Sequence, residues 1–118
     1  MARTFFRLVK SATPRQRDFF SNETKRGAPV PDLAPHLQRL WDGISVHETE
    51  AQARRQARET PWLGRYIAEL HVPEPPPGGM RWERTIAGND GHFTLWGDPK
   101  ALLSYVVQVI PVQEAHDE

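Results

Sequence analysis

The chain has 118 residues, 38% of them hydrophobic and 25% charged, with no cysteine and a formal charge of zero. That is enough for one domain with a real core and too little for two, and it excludes disulfides, thiolate nucleophiles and zinc-thiolate sites. The neutral total hides a gradient: residues 1–40 carry eight Lys/Arg against three Asp/Glu, residues 41–118 carry seven against twelve, and the two parts stand at +5 and −5.

Such a gradient suits either packing of the two parts on each other or a basic surface offered to an anionic ligand. A dedicated duplex-DNA binder would be more basic overall. No apolar run approaches the roughly 18 residues that a membrane span needs, and Phe5-Phe6 is followed at once by Arg7, so no membrane association and a cytoplasmic address are expected.

The first predicted element is a strand over residues 4–9, aromatic and apolar with Arg7 interrupting it. Thr13-Pro14-Arg15-Gln16 reads as a capping box with proline at the first helical position, opening a short helix to Ser21 with Phe19 and Phe20 as its apolar face. A loop with two prolines covers 22–34, and residues 35–41 can form a helix stopped by Gly43 in a left-handed conformation. A strand over 44–47 follows directly.

Thr49 with Gln52 forms a second capping box, and 50–58 has the alanine and arginine content of a surface helix until Thr60-Pro61 forbids continuation. Residues 65–72 read as a strand. Glu74-Pro75-Pro76-Pro77-Gly78-Gly79 can join neither ladder nor helix and reads as a surface arm. Strands over 81–86 and 92–96 flank the turn Gly88-Asn89-Asp90-Gly91 as a hairpin. Asp98-Pro99 caps a brief helix to Leu103, and 105–112 is a nearly continuous apolar strand, hence expected to be central and covered on both faces.

Helices and strands are mixed without strict alternation. The expectation is an α+β fold: one domain over 1–112, a compact, mixed and largely antiparallel sheet with three to four short helices, and a polar tail over 113–118.

The segments 44–57 and 91–97 carry the candidate chemistry. His47 and His92 each stand near a strand hydroxyl, Ser45 and Thr94, and suit the role of base or ligand-orienting donor. Gly91 before His92 suggests a close approach for a ligand. Trp96 is the tryptophan expected beside a ligand as a stacking wall. Histidines at 36, 47, 71, 92 and 116 show no metal-binding spacing, so no metal is expected. Ser45 lacks the G-x-S-x-G elbow of a hydrolase triad. Lys10, Arg15, Arg17, Lys25 and Arg26 near Phe19 and Phe20 form a pattern that can grip phosphates, but it contains no nucleic-acid reading motif and a solvated charged face is its commoner outcome.

A first strand with an inward arginine (Phe5-Phe6-Arg7-Leu8-Val9), a second with a small hydroxyl (Ile44-Ser45-Val46) and an immediate helix, then several strands in the C-terminal half, together resemble the compact, toxin-type ADP-ribosyltransferase fold. In that family the first strand supplies Arg or His, the second Ser, Thr or Tyr, and a later one Glu or Gln. The resemblance implies NAD as substrate, held at its phosphate or ribose by Arg7 and ordered by Ser45, with Glu83 as the late-strand carboxylate. His92 completes the implied catalytic set, and His47 and Trp96 the implied cofactor-binding set. The second strand lacks a Ser-Thr-Ser triplet, and Glu83 lacks the Glu-x-Glu or Gln-x-Glu context of arginine-modifying members. The chain also resembles small bacterial proteins that carry an Asp-Phe-x-Ser segment (Asp18 to Ser21) and a Gly-His-x-Thr-Leu-Trp segment.

Cleaving the glycosidic bond of NAD requires a cation at the diphosphate and a carboxylate that stabilises an oxocarbenium-like transition state, a minimum that Arg7 and Glu83 meet. A buried arginine is equally suited to pairing with a structural carboxylate. Two functions therefore stand: an NAD-using ADP-ribosyltransferase-like or NAD-glycohydrolase-like enzyme, and a catalytically inactive binding module of the same fold. The partner is a small-molecule nucleotide in the first case and a protein in the second, bound through the proline-rich arm and the Trp96 face.

Overall fold

The structure is a computed structural model that describes residues 2–21, 42–85 and 91–113. The architecture is α+β and mostly sheet. Six strands, β1 (Ala2–Val9), β2 (Ile44–His47), β3 (Tyr66–Pro73), β4 (Arg81–Arg84), β5 (His92–Trp96) and β6 (Val106–Pro111), form one sheet in the order β4-β5-β2-β1-β3-β6, and every pairing is antiparallel. Among the described residues two α-helices accompany it, α1 (Glu50–Glu59) and α2 (Pro99–Ser104), where three to four helices were expected of the whole chain.

The residue pattern explains most of this. Alternation along β1 sends Phe5 and Val9 to one face, where Val46, Leu70, Phe93, Leu95 and Leu102 complete the larger core, and Leu8 to the other. Phe5 is fully enclosed, with Trp82 edge-on at 5.3 Å and Phe93 at 5.5 Å. On the opposite face Ala53 and Ala57 of α1 sit on Leu8 and Ile67. Alanine at i and i+4 gives the helix a flat stripe that approaches the sheet closely.

Helix α1 starts where its cap dictates. Thr49 Oγ1 accepts from Gln52 N at 3.2 Å and Gln52 Oε1 accepts from Thr49 N at 3.1 Å, a reciprocal pair that satisfies two otherwise orphaned donors. Thr49→Ala is expected to cost about 1 kcal/mol in urea unfolding with no change in the slope of the transition. A loss below about 0.3 kcal/mol would show the cap to be inert.

Three expectations are corrected. The helix predicted to reach Ser21 closes only as a 3-10 turn, Gln16–Phe19. Its cap is not Thr13: Asp18 reaches back to accept from Arg15 N at 2.8 Å, and Phe20 is already extended. The strand at the C-terminal end is an edge, not the centre. β6 pairs with β3 alone, and Val107 is 54% exposed, because a register shift at Glu69/Leu70 and edge position override the apolar run. Gly43 does not adopt the left-handed conformation expected of a helix stop. A Cβ there would lie 2.4 Å from Thr94 Cγ2 and 3.0 Å from the Trp96 ring, so glycine is required by packing against β5.

The hairpin of β4 and β5 forms as expected, and the Glu74 to Gly79 arm is exposed throughout. The predicted helix over 35–41, the loop 22–34, turn residues 88–90, and Lys25 and Arg26 of the basic cluster lie outside the described residues. No helix among the described residues is long and apolar enough to cross a membrane.

Candidate functional site

The sheet opens between its two central strands. β1 is in register with β3 along its whole length, from Ala2 opposite Pro73 to Val9 opposite Tyr66, whereas its register with β2 is confined to Phe6 opposite His47. Beyond that pair a side chain replaces the ladder: Arg7 Nη1 donates to the Ser45 carbonyl at 2.8 Å, and Arg7 Nε donates to the Asp18 carbonyl at 2.8 Å. The guanidinium thus bolts β1 to β2 and to the 3-10 turn. Asp18 meanwhile spends its carboxylate on Arg15 N and on Lys10 N at 3.3 Å.

A cavity of about 250 Å³ lies at this opening, lined by Arg7, Leu8, Lys10, Phe20, Ser21, Gly43, Ile44, Ser45, His47, Gln56, Leu63 and His92. Arg7, Ser45, His47 and His92 therefore line one cavity. Among these residues there are two cations and two imidazoles and not one carboxylate. Loss of hydration lowers the Arg7 pKa to about 10, opposed by the charge of Asp18, so the group stays cationic at neutral pH.

His47 and His92 face each other across β2 and β5 with ring centroids 5.3 Å apart at 76°. His47 is only 3% exposed, and the Nδ1 atoms of both rings are buried without a hydrogen-bond partner. Burial is the first cause that lowers the His47 pKa, to about 4, followed by the charges of His92, Arg55 and Arg7. Burial lowers that of His92 as well. Both rings are neutral at pH 7, each with an unused polar nitrogen.

Other expectations are not met at this site. The room beside Gly91, whose φ is +76°, is taken by Gln52: a Cβ there would fall 2.1 Å from Gln52 Oε1, so α1 and not a ligand occupies it. Trp96 does not wall the Arg7 cavity. It lies at a separate hollow of about 220 Å³ with Asp42 and Asp98, and Arg81 covers its ring at 4.3 Å. Glu83 does not line the Arg7 cavity either. It sits on β4 opposite Thr94, which is in turn opposite Ser45, so the three share a face in one row across the sheet. At about 4.8 Å per strand, Glu83 stands roughly 10 Å from Ser45 with the buried Thr94 between.

Lys10 of the basic cluster and Ser21 of the Asp-Phe-x-Ser segment also line the cavity, and Gln56 lines it without having been singled out from sequence. The signal for Gln56 was the Ala53/Ala57 stripe, which turns that flank of α1 toward the sheet. Lys10 follows β1 directly, and its ammonium donates to the Trp62 carbonyl. Trp62 and Leu63 belong to a short 3-10 turn, Pro61–Leu63, whose Trp62 is 69% exposed. Gly64 closes that turn against β1, since a Cβ on it would meet the Val9 carbonyl oxygen at 2.4 Å.

Among the described residues no group of three or more His, Asp or Glu is placed to hold a metal. Set against family models, curated proteins and solved structures, the chain matches none of them.

Proposed function

We propose that the chain binds an anionic nucleotide of the NAD type in the Arg7 cavity and uses it as ADP-ribosyltransferases and NAD glycohydrolases do. The observation that carries this reading is the lining itself: Arg7, Lys10, His47, His92 and Ser45 around one cavity, with no carboxylate among the described residues that line it. A cation in a partly dehydrated cleft attracts phosphate oxygens strongly.

The cavity is smaller than the roughly 300 Å³ at which pockets for drug-sized ligands begin, so it takes one end of a dinucleotide. The remainder would run along the sheet face toward β4, over the row Ser45, Thr94, Glu83. Glu83 would then stabilise the cation that develops at the ribose as nicotinamide leaves.

The offset of Glu83 favours a second reading, a catalytically inactive binding module of the same fold acting in a protein complex. Thermal unfolding with increasing NAD separates ligand binding from its absence, because a ligand of the folded state raises the midpoint. An unmoved midpoint at millimolar NAD overturns the NAD reading. Nicotinamide release then decides between enzyme and module: Glu83→Gln should keep the midpoint shift and lower release about 100-fold or more. A shift without any release in the unaltered chain establishes the module.

A further inference from the structure

The paired imidazoles are used neither by the core nor by the reaction above. They lie in register across β2 and β5, line the cavity together with Arg7 and Lys10, and each leaves Nδ1 unpartnered. Two cations and two imidazoles around one cavity offer an anionic ligand both positive charge and nitrogens that can take up a proton. Arg7 commits Nε and one N–H of Nη1 to carbonyls, which leaves Nη2 as an unspent donor.

We propose that the cavity is a phosphate-monoester site in which a terminal phosphate sits against Arg7 and the imidazoles of His47 and His92, drawing a proton from solvent onto the imidazole pair as it enters. The proposal goes beyond the nucleotide reading: it uses the same cavity but rests neither on that reading nor on NAD chemistry, since the diphosphate of NAD has no terminal monoester.

The charges around the pair fix the direction of the coupling. Arg7 from β1 and Arg55 from α1 are cations that disfavour an imidazolium at His47 in the empty cavity, and Lys10 just beyond β1 adds a third cation to the lining. The neighbouring Glu48 at the end of β2 is engaged by Arg84 at 3.7 Å. A dianionic phosphate reverses the local sign: it offsets the cations, accepts from the protonated nitrogens and makes the charged imidazole the favoured form. A phosphate monoester has its second pKa near 6, so above pH 7 the proton must come from solvent and not from the ligand. Neither Ser45 nor Gln56 can substitute for this step, because neither takes up a proton in that range.

The test is calorimetric titration of the full chain with ribose 5-phosphate at pH 7.5 in two buffers of different ionisation enthalpy. The expected result is binding whose heat differs between the buffers by an uptake approaching one proton, with affinity falling roughly tenfold from pH 7 to pH 8. His47→Gln and His92→Gln should each weaken binding about tenfold or more and remove the buffer-dependent heat. Absence of binding, or binding that is flat in pH and buffer, overturns the proposal, and the buffer comparison on the unaltered chain decides even if a glutamine variant does not fold. NAD raising the unfolding midpoint while ribose 5-phosphate is inert defeats this inference and leaves the nucleotide reading standing. Ribose 5-phosphate binding with proton uptake while NAD is inert does the reverse.

Discussion

Replacing Arg7 by methionine is expected to destabilise the fold by about 2–4 kcal/mol and to abolish any response to an anionic ligand. The stability effect comes from the two carbonyls it serves, those of Asp18 and Ser45, each at 2.8 Å. Hydrogen bonds from a charged donor contribute roughly 1.5–3 kcal/mol each, and water entering the partly open cavity recovers a fraction of the loss. Methionine keeps the aliphatic bulk, so the change isolates the donors from the packing. Arg7→Lys restores the charge but cannot reach two divergent carbonyls with a planar fork, and should fall between the two in stability while recovering part of the ligand response. Urea unfolding and ligand titration on the three proteins check both halves. A methionine variant within about 0.5 kcal/mol of the parent, the range of ordinary surface substitutions, would remove Arg7 from its structural role.

The second large effect is acid sensitivity in the absence of ligand. A histidine in the unfolded chain takes its proton near pH 6.5, whereas His47 in the folded protein resists until about pH 4. Above pH 6.5 neither state is protonated there and stability does not depend on this group. Between about 6.5 and 4 the unfolded chain binds a proton that the folded one refuses, so stability falls with pH, by about 3 kcal/mol across the window for His47. His92 is lowered too and adds in the same direction. Urea unfolding from pH 7.5 to 4.5 should therefore show a steeper decline for the parent than for His47→Gln. Parallel curves would mean that His47 is hydrated and titrates normally. A phosphate ligand should flatten the decline, since it makes the proton welcome in the folded state.

Local chemistry was the legible part of the sequence. Strand 44–47, the Thr49/Gln52 cap and the Asp98 cap of α2 were all readable because each depends on residues within four positions of one another. The failures were of position in the sheet. Val106 to Pro111 has the composition of a covered strand, and nothing in those six residues states that only β3 lies beside it. Gly43 was read as a helix stop when the reason for it was Thr94 and Trp96, some fifty residues away. The same holds at the site. Arg7, Ser45, His47 and His92 could be listed as reactive types, but that two imidazoles oppose each other follows from the register of β2 with β5, and the separation of Trp96 and Glu83 from the cavity follows from strand order. Gln56 went unread because a glutamine on a helix carries no signal until the sheet parts beside it, and Lys10 was read only as part of a basic cluster and not as a neighbour of Ser45 and the two imidazoles.

The close approach of Gly64 to Val9 sets the calibre of the site. Because that approach is backbone against backbone, with no side chain interposed, the rim formed by Leu63 and Lys10 cannot drift outward from Arg7 without tearing the start of β3 from the end of β1. The Leu63 and Lys10 side of the cavity is consequently fixed. Residues around it can be exchanged to alter which headgroup is preferred while the bore stays the same, and a redesign that seeks a wider one must lengthen the turn at Pro61–Leu63 and not merely trim its side chains.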